Sequence, residues 1–207
     1  MPHANRLSRF AVAQAFAVVP LLAAAPFWET KPPGQWSLEQ VHLMLRDSPW
    51  AQIAEAVSTA RVPTGVQVYL ATATPIEEAE RELSRRTKRK LPDDPAMEEY
   101  RAFIRENRGS KIVLAVACPD LDAMTDAAET KKMEEQSSMK IGRRKYKMEG
   151  HFPPTSSDPF LRLVFPRAIE ARDSSIDFDL YLPAATPPFR QTTFRINDLV
   201  YHSKPDM

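Results

Sequence analysis

Residues Ile112 to Ala117 read Ile-Val-Leu-Ala-Val-Ala, six apolar side chains in a row with none to turn toward water. A run of this length suits a strand, and a strand with no polar face must be covered on both sides, which places it at the centre of a sheet. A second strand is predicted at Val66 to Thr72, where Val66, Val68 and Leu70 alternate with Gln67 and Tyr69. Between the two lie two helix starts. Thr74, Pro75 and Glu77 offer a cap, a proline at the first position and a capping-box acid. That helix turns Ile76, Ala79 and Leu83 inward and pairs Glu77 with Arg81 and Glu82 with Arg86 on its solvent side. Asp94 and Pro95 begin the next, with Met97, Tyr100 and Ile104 inward and Gly109 past its end. Two strands joined through helices predict a parallel pair formed by a right-handed crossover.

Upstream, Ser37 and Gln40 form a capping box ahead of Leu38, Val41 and Leu45, and Asp47, Ser48 and Pro49 end the helix. A short strand is expected near Ile53 to Ser58. Downstream, a charged helical stretch from Leu121 to about Glu135 gives way to strands at Met139–Ile141, Tyr146–Met148, Phe160–Phe165, Ile176–Leu182 and Arg190–Ile196, and Asn197–Tyr201 closes the domain. The pattern predicts an α+β fold: a single domain over 37–207 with a mixed β-sheet, helices mainly in the N-terminal half and antiparallel strands in the C-terminal half. Trp36 and Trp50 bracket the first helix and are expected to anchor it in the core, the alternative being an exposed aromatic platform for a ligand.

Residues 1–25 have the layout of a bacterial signal peptide. Arg6 and Arg9 form the positive region, Phe10 to Leu22 is apolar apart from Gln14, and Ala23, Ala24 and Ala25 supply the small residues of a cleavage site. The apolar run is shorter than a membrane span and is broken by Pro20, so cleavage is preferred to a retained anchor. Residues 26–36, rich in proline, are expected to form an extended linker. Removing Arg6 and Arg9 from the 28 basic residues leaves 26 against 27 acidic ones, a balance that provides no global attraction to nucleic acid or anionic membrane.

The candidates for chemistry are sparse. Cys118 is the only cysteine, which excludes an intramolecular disulfide. It sits at a strand end, where α/β enzymes place nucleophiles, but no base is near in sequence, so a buried inert thiol is the expectation. His3, His42, His151 and His202 are too scattered for a metal set. Asp120, Asp122 and Asp126 lack the glycine of a calcium loop and are expected to cap a helix N-terminus. Lys140, Arg143, Arg144, Lys145 and Lys147 would lie on a hairpin turning at Gly142 and are read as a solvated edge rather than an anion site. Arg85, Arg86, Lys88, Arg89 and Lys90 end a helix, where positive charge suits the dipole. With 5 glycines against 19 prolines, the chain lacks the Gly-rich loops that cradle phosphates. No catalytic, metal or cofactor residue is assigned.

Trp36-Ser37, Ser48-Pro49-Trp50-Ala51, Phe165-Pro166-Arg167 and Asn197-Asp198-Leu199-Val200-Tyr201, taken with the signal peptide, resemble an uncharacterised group of small exported proteins of acidobacterial genomes. The resemblance implies export and a single domain, and supplies no catalytic residue. The expected function is a non-catalytic binding or scaffolding domain, secreted or periplasmic, whose partner class is a cell-envelope component and not nucleic acid. A membrane enters only if the signal is retained as an anchor. An extracytoplasmic hydrolase with a site assembled from sequence-distant residues is the alternative.

Overall fold

The computed structural model describes residues 25–57, 65–87, 94–118 and 120–207. The signal peptide expected over 1–25 lies, but for Ala25, outside them. They form an α+β domain with helices concentrated in the N-terminal half. The strands are β1 (Ala51–Ala56), β2 (Val66–Leu70), β3 (Lys111–Ala117), β4 (Ser138–Ile141), β5 (Arg144–Lys147), β6 (Gly150–Phe152), β7 (Phe160–Pro166), β8 (Ser175–Tyr181) and β9 (Phe189–Arg195), joined in the order β5-β4-β8-β9-β1-β2-β3-β7-β6. A two-stranded ribbon, β10 (Val200–Tyr201) and β11 (Lys204–Pro205), follows. The helices are α1 (Phe27–Thr30), α2 (Leu38–Arg46), α3 (Thr74–Thr87), α4 (Pro95–Asn107) and α5 (Ala127–Gln136).

The nine-stranded sheet is spliced at β1. Ala51 to Ala54 pair with β2, whereas Glu55 and Ala56 pair with β9. The sheet curls, so that the half containing β7 meets the half containing β8: the rings of Phe165 and Phe178 stand 5.3 Å apart, and Phe178 meets Phe194 of β9 at 5.9 Å. β3 is central as expected, with Ile112 to Val116 buried. The expected parallel pairing of Val66–Thr72 with Ile112–Ala117 is corrected: β2 and β3 run antiparallel, with Tyr69 opposite Ala115. The reason is that two helices, not one, lie between them. The end of α4 returns to the start of α3, where Arg108 donates to Thr74 Oγ1 at 2.7 Å and pairs with Glu77 at 3.1 Å. The chain therefore re-enters the sheet from the end at which it left.

The same contact changes the expected pairs on α3. Glu82 does bind Arg86, at 3.0 Å, but Glu77 turns to Arg108 and Arg81 binds Glu78 instead. The Ser37–Gln40 capping box is present in both directions. On α2 the buried stripe runs through Val41 and Met44, and Leu38 stays exposed. Trp36 and Trp50 are both core residues, at 1 % and 0 % exposure, which removes the platform reading.

Residues 26–36 are not an extended linker. They carry α1 and a 3-10 turn at Pro33–Gln35, and they fold onto the domain through a run of edge-to-face aromatic contacts: Phe27 with Trp28 and Trp36, and Trp28 with Trp50. The apolar area of these rings outweighs the extended bias of the prolines.

The N-terminus of α3 is capped from far away. Thr74 was expected to cap by itself, but its backbone N–H and its hydroxyl both donate to the Asp206 carboxylate, at 2.7 and 2.6 Å. Trp50 Nε1 donates to the Asp206 carbonyl at 2.6 Å. The ribbon that delivers Asp206 turns through His202 and Ser203, both with positive φ, the geometry of a two-residue primed hairpin turn.

Asp206→Ala should destabilise the domain by about 1–3 kcal/mol, and Asp206→Asn by less because it keeps one acceptor. Chemical denaturation checks this, and an unchanged midpoint in the alanine variant would refute the long-range cap. Ser203→Gly should raise stability by about 0.5–1 kcal/mol, since glycine removes the left-handed penalty while adding unfolded-state entropy. A lower melting temperature for this variant would contradict the turn geometry.

Candidate functional site

Where the sheet curls, the ends of several strands surround a pocket of about 240 Å³. The start of β2 contributes Val66, the end of β3 Val116 and Ala117, and the start of β7 Leu161. The connection leaving β8 adds Leu182 and Pro183 to Ala185, and β9 sends in Arg190. Met124, Cys118 and Asp120 complete one wall. Alternation sets these directions: along β9 exposure strictly alternates, so Arg190, Thr192 and Phe194 share the inward face while Phe189, Gln191 and Thr193 face out. Ala184 at the lip holds a φ of 58°, a left-handed conformation that costs a residue with a Cβ about 1–2 kcal/mol. Non-glycine residues held in this region cluster at binding sites.

Arg190 is the cation of the pocket. It is 3 % exposed; its Nη1 donates to the carbonyls of Pro187 and, at 3.1 Å, Phe189, and its Nε has no hydrogen-bond partner among the described residues. Burial lowers its pKa from the ordinary guanidinium value, and the charge of Glu55 opposes the shift. Arg162, the other deeply buried arginine, also leaves its Nε without a partner among the described residues but is ion-paired. It pairs with Asp158 and, at 3.4 Å, with Glu80, and its guanidinium lies 4.3 Å from the centre of the Tyr100 ring. Tyr69 donates to the same Glu80 at 2.7 Å, and burial, followed by the Glu80 charge, raises the tyrosine pKa. Asp94 caps α4 with one carboxylate oxygen and accepts from Thr155 and Ser157 with the other, which ties the loop before β7 to this cluster. These carboxylates converge on one another's partners and pin the α3–α4 layer to the sheet. None of Glu80, Asp158 and Arg162 lines the pocket.

Cys118 reaches the pocket as a half-buried thiol, its Sγ 3.1 Å from the Asp120 carbonyl, to which it donates. Burial pushes its pKa up, so the thiol form dominates at neutral pH. No histidine is among the described lining residues. His151 instead stands 3.4 Å from Glu134, His202 stands 3.9 Å from Glu29, and His42 is on α2; His3 lies outside the described residues. Among the described residues no group of three metal-ligating side chains forms. Asp126 accepts from the backbone N–H groups of Ala128 and Glu129, and Asp120 from that of Asp122, as expected of helix-start acids. The basic hairpin turns at Gly142 with φ 59° and is partly neutralised: Arg144 binds Glu170 and Asp173, and Lys140 binds Asp179. Lys145 and Lys147 remain exposed on β5, an edge strand, where charge discourages further pairing. Arg85 and Arg86 both hold Glu82, while Lys88, Arg89 and Lys90 fall outside the described residues.

Sequence reasoning reached Cys118 and Asp120 but not Arg190, Leu161 or Leu182. The readable signal was the phase of β9, which sets an arginine in register with a buried phenylalanine two turns of the pleat away. With its pKa raised and no base beside it, Cys118 should react slowly with a thiol reagent at pH 7, and much faster once the protein is unfolded. Rapid native labelling with a lowered apparent pKa would overturn this assignment. No helix of the described residues is long and apolar enough to cross a membrane. No protein-family model matches the chain, and neither a curated protein nor a solved structure matches it.

Proposed function

We infer that this chain is an exported binding domain, secreted or periplasmic, which holds a small ligand in the pocket at the curl of its sheet. The observation that carries the reading is the pocket's chemistry: apolar walls surround one buried, incompletely bonded cation. Ligand sites are concave and mostly apolar, with a few placed polar groups that fix orientation, and this pocket has that composition. Its size is at the low end of such sites, which favours a small ligand. Hydrolysis requires an activated nucleophile or a positioned acid–base pair, and Cys118 has a raised pKa with no histidine in the described lining. Support for export comes from Arg6, Arg9, the apolar run to Leu22 and the alanine triplet, and from the resemblance to small exported proteins. The partner class is a small component of the cell envelope or its surroundings.

Expressed in a bacterial host with its own N-terminus, the protein should be recovered outside the cytoplasm with an intact mass that shows cleavage after Ala24 or Ala25. Full-length protein in the soluble cytoplasm would overturn export. Native mass spectrometry of the recovered protein should show a small bound mass that denaturation releases. Turnover of ester or peptide substrates that disappears in Cys118→Ser would replace the binding reading with the hydrolase.

A further inference from the structure

The pocket has a chemically asymmetric lining, and the asymmetry identifies a ligand class. Two buried arginines in one small domain give an internal comparison. Around Arg162 the fold supplies two carboxylates and an aromatic face. Around Arg190 it supplies two carbonyls, both on Nη1, and no carboxylate is within ion-pairing distance among the described residues. Both arginines leave Nε without a hydrogen-bond partner among the described residues, so what separates them is the ion pairing that Arg162 has and Arg190 lacks. The guanidinium is the planar fork on which arginine binds carboxylates with two parallel hydrogen bonds. Glu55 is the carboxylate whose charge acts on Arg190, but it forms no ion pair with it; a buried cation without a paired counter-charge is costly, and an incoming anion relieves the cost.

The rest of the lining restricts the anion. Val66, Val116, Leu161, Leu182 and Met124 offer nothing polar, so the remainder of the ligand is hydrocarbon. Among the described lining residues Arg190 is the one cation and Asp120 lies in the same wall, which suits a single negative charge and disfavours the double charge of a phosphomonoester. At about 30 Å³ per water-sized group, 240 Å³ holds about eight such groups. We propose that the pocket binds a short-chain apolar monocarboxylate, its carboxylate on the guanidinium of Arg190 and its hydrocarbon tail against Val66, Val116, Leu161 and Leu182. This identification rests on the binding-domain reading above and names its ligand. Cys118, in the same wall, is covered when the ligand is in place.

Calorimetric titration of the protein at pH 7 with hexanoate, octanoate, 1-octanol and octyl phosphate tests the proposal. Octanoate or hexanoate should bind at least tenfold more tightly than 1-octanol or octyl phosphate, and saturating octanoate should slow Cys118 labelling at least fivefold. Arg190→Met should remove the preference, leaving octanoate no better than 1-octanol, while Arg190→Lys retains part of it. Ala185→Trp, which fills the pocket and leaves Arg190 in place, should abolish binding of both acid and alcohol. Circular dichroism and thermal unfolding establish that each variant is folded, and Ala185→Trp keeps the test decisive should Arg190→Met fail to fold. Equal binding of octanoate and 1-octanol to the unaltered protein would overturn the carboxylate assignment yet leave an apolar binding pocket. Binding that persists unchanged in Ala185→Trp would overturn the pocket as the site. Failure of all four probes to bind would overturn this inference, and absence of any released ligand in the native mass spectrum would overturn the binding-domain reading itself.

Discussion

Everything in this domain depends on a six-residue strand that changes partners midway. β1 gives its first four residues to β2 and its last two to β9, and these pairings are what join the helix-covered half of the sheet to the half built from the C-terminal strands. Because its two neighbours take different stretches of it, β1 carries the pairing across the place where the sheet bends. The bend brings the Phe165 and Phe178 rings together and so makes one core from two sheet halves. It also leaves a space where the strand ends do not meet. The pocket is thus a by-product of closing the core, and its walls are the ordinary inward residues of β2, β3 and β7.

Two solutions to burying an arginine are used within this frame. Arg162 is placed between sheet and helices, where carboxylates from α3 and from the loop before β7 converge on it, and its charge becomes a fastener between layers. Arg190 is placed inside the curl, against a lining that is mostly aliphatic and without a carboxylate ion-paired to it among the described residues. Proteins keep unsatisfied buried charge at functional sites more readily than elsewhere, because a group that the fold itself satisfied would have nothing left to offer a ligand. The left-handed Ala184 at the same lip is a second local departure from the relaxed state.

Local signals in the sequence were read correctly where the physics is local. The Ser37 capping box, the Asp94 and Asp126 caps, the turn at Gly142 and the positions of β7, β8 and β9 all depend on residues within a few positions of one another. The direction of β3 against β2 did not follow, because it depends on whether the helices between them make one crossing or a returning pair, and the contact that decides this is Arg108 with Thr74. The segment 26–36 departs from an extended linker for a related reason: proline content describes the free chain, whereas Trp28 and Trp36 respond to the surface presented by Trp50 and Phe27. Within the candidate site, Cys118 and Asp120 are neighbours in sequence and were noticed. Arg190 escaped because nothing local distinguishes an arginine that finds a carboxylate from one that does not.

The Asp206 cap bears on the order of events during synthesis. Its partners, Thr74 and Trp50, lie 132 and 156 positions earlier in the chain. A ribosome therefore delivers α2, α3 and the first strands long before the residue that secures them exists, and contacts of such sequence separation form late because the intervening loop must first be ordered. Until that residue emerges, the start of α3 has unanswered N–H groups and the indole of Trp50 lacks its acceptor. The start of α3 therefore waits for its cap until the 132 positions that separate them have been made. A receptor that must engage the chain before it becomes compact, at a membrane pore or on a chaperone, has that interval in which to do so.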